Sequence, residues 1–256
     1  MDSAAIMSIV FTWGLMIPWL SLVAASGIMA LKKWQTAKGS LKKQMFYFWF
    51  GALVVFTGDF IHTISATITA YTGDPVGSIN VLGSIFEFRT FAMFFDGVVF
   101  MIYYGLWALF IVDRYQQGRF QVYDKISVTL AALSILLLLP GAVPNALGIY
   151  TLDYDIAIWS PHMVLFVVFG IMTVGKLIRN SRRFGGEASD GYVQIQERAL
   201  FIMGISFVFS FLFFILSLGL RPINPKFAMF MIPKTFAYMT AFYYLIKGVI
   251  RPVHAV

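Results

Sequence analysis

Seven long apolar stretches, a one-sided distribution of cationic residues and a mean hydropathy of +0.80 predict an all-α, polytopic membrane protein. The expected architecture is seven transmembrane helices in a single domain over residues 1–256, with the N-terminus outside and the C-terminus cytoplasmic. The stretches cover residues 4–31, 45–71, 85–112, 127–149, 156–178, 199–220 and 226–248. Each is longer than the roughly 20 residues with which a helix crosses about 30 Å of hydrocarbon. Orientation follows from charge. Fifteen of the nineteen Lys and Arg residues fall in alternate gaps and in the tail. Basic side chains are retained on the cytoplasmic side.

The spans bear this out in order. Span one begins a few residues after Met1 without a basic leader, as a membrane helix does rather than a cleaved signal. Lys32, Lys33, Lys38, Lys42 and Lys43 follow it. Span two is followed by a polar gap with no Lys or Arg before Arg89, and span three by Arg114, Arg119 and Lys125. Span five leads into Lys176, Arg179, Arg182, Arg183 and Arg198, a segment whose Gly185, Gly186 and Gly191 predict a flexible loop. Between spans six and seven stand only Arg221 and Lys226, and after span seven come Lys247 and Arg251. The net charge of +7 therefore marks a membrane face that meets anionic lipid, and no nucleic-acid partner is expected. Having no Cys, the chain forms no disulfide, thiolate metal site or redox thiol.

Internal similarity predicts a parallel repeat of residues 4–112 and 156–248 around a linker helix, 127–149. An offset of 143 pairs Pro18 with Pro161, Leu22 with Leu165, Gly27 with Gly170, Ile28 with Ile171, Met29 with Met172 and Lys33 with Lys176. Gly51, Val55, Phe56 and Phe60 fall on Gly204, Val208, Phe209 and Phe213, and the run Phe91–Phe94 recurs as Phe227–Phe230. This three-plus-one-plus-three layout resembles that of SWEET-type sugar carriers, which implies a transporter whose halves rock. Pro18 and Pro161 are the expected kinks. Microbial opsins can be described with the same layout. That resemblance implies Lys234 as a retinal attachment point and Asp96 as its counter-ion, although Phe230 stands where those opsins hold a carboxylate.

Ionisable residues inside the spans are costly in lipid and normally face the bundle interior, so they nominate the site. His162, His62, Glu87, Arg89, Asp96, Lys234 and Asp59 all fall at or outside the membrane midplane, as a polar cavity open to the outside requires. Asp59 and His62, three residues apart, share a helix face. They form either a ligand pair or a carboxylate orienting a buried imidazole. Lys234 lies too deep to reach the headgroups, and Asp96 or Glu87 is its expected partner. Glu87 and Arg89 stand at the mouth.

The expected function is binding or transport of a small polar solute or ion through this cavity, with the lipid bilayer and a second copy or membrane-complex subunit as further partners. One alternative is a subunit of a membrane redox or photosynthetic assembly, with haem b or another chromophore as cofactor and His62 and His162 as its ligands. A zinc hydrolase would have to use Asp59, His62 and His162. Phosphate-loop, His-Glu-x-x-His and Gly-x-Ser-x-Gly signatures are missing. Finally, Asp113, Arg114 and Tyr115 resemble the inner end of helix three in class A G-protein-coupled receptors, which implies a receptor or sensor. The cysteine pair of that family and its Asn-Pro in helix seven are missing.

Overall fold

A computed structural model of the chain describes residues 3–72, 78–81, 84–133, 161–220 and 223–251. Its helices are α1 (Ser3–Thr36), α2 (Gly39–Thr72), α3 (Phe88–Tyr115), α4 (residues 122–133), α5 (Pro161–Glu187), α6 (Gly191–Leu220) and α7 (Met231–Tyr244). A 3-10 segment, Pro225–Phe230, precedes α7, and a π-helical turn, Leu245–Ile250, follows it. Five stretches are long and apolar enough to cross a membrane: Ile9–Thr36, Gly39–Thr72, Phe95–Tyr115, Val164–Glu187 and Gly191–Ser217. The chain is thus a multi-pass, predominantly helical membrane protein. Most of the expected fourth span and the start of the fifth lie outside the described residues.

The structure refines the sequence reading at three places. The helical fold carries one short hairpin among the described residues. Ser78–Val81 (β1) and Ser84–Glu87 (β2) pair antiparallel in the polar gap before α3, with Ser78 opposite Glu87 and Val81 opposite Ser84. Alternating Ser, Ile, Asn and Val suits a pleated ribbon better than a helix. The segment from Arg179 to Arg198 is largely helical rather than a flexible loop, since α5 continues to Glu187 and α6 starts at Gly191. Asp190 supplies the missing start signal: its Oδ1 accepts the Tyr192 N–H at 2.8 Å, and its carbonyl accepts from Gln194. The two expected kinks also differ. Pro18 lies inside α1, whereas Pro161 opens the described part of α5 and the residues before it lie outside the description.

Helices pack in chain order: α1 on α2, α2 on α3, α3 on α5, α5 on α6, α6 on α7, and α7 with its π turn back on α1. The interior of this ring is aromatic. Trp19, Phe48, Tyr103, Tyr104, Trp107, Phe110, Phe207 and Phe242 are buried, in tilted and edge-on contacts that favour the ring quadrupoles. The outward positions are apolar as well. Val208, Phe209, Leu212 and Ile215 on α6, and Ile17 and Ile28 on α1, are exposed, as suits a lipid solvent. Of the glycines paired by the repeat, Gly27 and Gly170 each face the next helix in order, through Ala52 of α2 and Phe211 of α6, whereas Gly51 and Gly204 differ. A Cβ on Gly51 would meet Tyr103 of α3, the next helix in order, whereas one on Gly204 would meet Ile178 of α5, the preceding one.

The basic ends gather at one end of the bundle. Arg114, at the end of α3, donates to Glu197 Oε1 of α6 from Nη2 at 2.7 Å and from Nε at 2.9 Å. Its Nη groups also reach Gln196 and Gln44, and the Tyr115 hydroxyl donates to Glu197 Oε2 at 2.6 Å. Lys176 of α5 pairs with Asp124 of α4, and Tyr47 of α2 donates to Asp113. Lys33 of α1 donates to the carbonyls of Ile250 and Arg251, satisfying acceptors that the π turn leaves open.

Candidate ligand-binding cavity

At the opposite end the ring opens into a cavity of about 650 Å³. Each wall is a helical stripe. Asp59, His62, Thr63 and Ala66 are spaced i, i+3, i+4, i+7 on α2, and Met231, Lys234, Thr235 and Tyr238 repeat that spacing on α7. Asp96 and Phe100 come from α3, Phe166 from α5, and Ser210, Phe211 and Phe214 from α6. Such spacing keeps a row of side chains on one face of α2 and of α7, and α1, with Phe11, Thr12, Leu15 and Met16, completes the six helices that line the space.

The floor is closed. Tyr104 and Tyr238 share a hydrogen bond between hydroxyls at 2.9 Å, and Trp19, Tyr103, Phe207 and Phe242 pack around them. The void farther in, beside Phe48 and Trp107, has a volume of about 10 Å³, too small for any ligand. The described structure is therefore open at one end and sealed toward the basic end.

Four of the residues nominated by sequence meet here: Asp59, His62, Asp96 and Lys234. Asp59 is anchored by Trp19, whose indole N–H donates to Oδ2 at 2.7 Å. Asp96 Oδ1 is buried without a hydrogen-bond partner, a state that costs on the order of 1–3 kcal/mol. Lys234 differs from its expectation. Among the described residues it makes no salt bridge, to Asp96 or to any other carboxylate. Its ammonium instead lies 4.8 Å from the Phe214 ring centroid, 5.8 Å from that of Phe100 and 5.9 Å from that of Tyr238. Its position has a local cause. Pro233 has no N–H and crowds the carbonyl four residues back, so an α-turn cannot be completed there, and the chain enters α7 through the 3-10 turn Pro225–Phe230.

The remaining nominees are less fully placed. Glu87 ends β2 rather than opening α3, Arg89 is in the first turn of α3 and His162 is the second residue of α5; their side chains lie outside the described part. The haem and zinc arrangements that need His162 fall there too. Among the described residues no three His, Cys, Asp or Glu side chains converge as a metal site. Sequence reasoning missed Trp19 and the aromatic box of Phe100, Phe214 and Tyr238. Their stripe spacing was available, but with 27 Phe and 12 Tyr in the chain it singles out nothing.

Fold and cavity together define a polytopic helical membrane protein with a cavity between its helices. No protein-family model, curated protein or solved structure matches this chain.

Proposed function

We propose that this chain is a seven-span membrane protein, N-terminus outside, that binds a small molecule in the cavity between α2, α3, α6 and α7. The observation that carries this is the cavity of about 650 Å³, open at one end, with Asp59, His62, Asp96 and Lys234 on its wall. A volume of that size and a mainly apolar lining with a few convergent polar groups are typical of small-molecule sites. Asp59, His62, Asp96 and Lys234 hold the solute or exchange protons with it, and Glu87 and Arg89 stand toward the mouth. Transport would require the aromatic floor and the Arg114 network to part, and the binding reading holds with or without that step.

The test is cavity filling. Ala66→Trp puts an indole into the cavity from α2. A panel of drug-sized amphiphiles of every charge type should include members that stabilise the wild-type protein in mild detergent, and those members should lose their effect on the folded variant. Equal stabilisation of both proteins would remove the reading.

A second reading, a bound chromophore, is supported by one feature: an amine, Lys234, and an imidazole, His62, line the same aromatic space. An absorption spectrum before and after dithionite tests it. A visible band lost in Lys234→Met or in His62→Ala would favour it, and a spectrum with the aromatic band alone would remove it.

A further inference from the structure

We infer that the ligand of this cavity is an apolar organic cation, whose charged nitrogen docks on Asp96 while its body lies against the aromatic wall. The inference rests on the cavity reading above and adds the charge class. Three observations support it. Of the buried lining oxygens without a hydrogen-bond partner, Asp96 Oδ1 and Ser210 Oγ, the carboxylate oxygen can only accept, so what completes it is a donor. The described lining carries two acidic side chains, Asp59 on α2 and Asp96 on α3, so an entering anion meets a carboxyl group on two of its walls. The walls already hold a cation, since Lys234 rests on Phe214, Phe100 and Tyr238 rather than in a salt bridge. Phe11, Phe166 and Phe211 offer further aromatic surface to the ligand.

The two carboxylates are not equivalent. Asp59 already accepts from Trp19, which holds its geometry and spends part of its acceptor capacity. Asp96 keeps its own. A charge-assisted hydrogen bond in a water-poor site is worth more than a neutral one, so a cation should outbind an alcohol of the same shape. Lys234, a like charge on the same wall, should weaken that binding, and its removal should help.

Trp13 and Trp19 report on this region, since the first donates to Thr67 and the second to Asp59. Their fluorescence can follow titration of the full-length protein in a non-ionic detergent with 4-phenylbutylammonium, 4-phenylbutan-1-ol and 4-phenylbutanoate. The ammonium should bind tightest, by about tenfold or more over the alcohol. Asp96→Asn should erase that preference and leave the alcohol nearly unchanged. Lys234→Met should tighten the ammonium and weaken the carboxylate, and this opposite shift decides the matter even if Asp96→Asn fails to fold. A carboxylate that binds tightest, or an alcohol equal to the ammonium, overturns the cation class and leaves the cavity reading standing. Binding of none of the three, or equal binding to Ala66→Trp, overturns the cavity reading and this inference with it.

Discussion

Arg114 and Glu197 illustrate how a residue read as surface charge becomes structural. Their side chains are 16% and 2% exposed, and Glu197 takes three donated hydrogen bonds from Arg114 and Tyr115. Removing one member of a buried pair leaves an uncompensated charge, whereas removing both does not. Arg114→Met should therefore lower stability by about 3 kcal/mol. The double replacement Arg114→Met with Glu197→Leu should recover much of that loss, a sign that thermal unfolding of the four proteins of the cycle in detergent will measure. Arg114 stood out in the sequence as a basic residue after span three and as part of a three-residue resemblance. Glu197 did not stand out, because nothing in a sequence places residue 197 beside residue 114. Asp59 and His62 were legible because a spacing of three fixes a shared helix face.

At the scale of elements, close approach is set by glycines whose importance depends on what they face. A Cβ on Gly248 would sit 2.1 Å from the Ala199 Cβ, where the π turn crosses α6. Neither atom belongs to a flexible side chain that can swing away. Gly248→Ala should cost about 1–3 kcal/mol through overpacking. Gly105, in α3, has open space where its Cβ would stand, and Gly105→Ala should be neutral or stabilise by up to about 1 kcal/mol through helix propensity. Chemical denaturation of the two variants side by side checks the contrast. Hydrophobicity and length located these helices, because a lipid solvent demands long apolar segments whose backbone bonds are internal. Their ends were less legible. Asp190 extended α6 toward its N-terminus, and β1 and β2 took the polar gap together with the first residues of the expected third span.

For the whole molecule, the side of the membrane faced by each end is open to a direct test, because the chain has no Cys and every introduced one reports alone. The positive-inside arrangement predicts that Lys38→Cys and Ser189→Cys react with an impermeant maleimide only from the cytoplasmic side, and Ile223→Cys only from outside. Labelling of intact and opened cells distinguishes the two. The sequence by itself determined that this is a multi-pass helical membrane protein, and it picked out Asp59, His62, Asp96 and Lys234. Both follow from the cost of placing polar groups in hydrocarbon, which acts residue by residue and so is written in composition and order. Only the tertiary structure decided that these four side chains share one cavity and that Lys234 rests on aromatic faces instead of pairing with Asp96. It also decided that Lys33 caps the π turn and that Arg114 is held by Glu197. Each of these depends on which helices become neighbours and how each is rotated, and packing across the ring sets both.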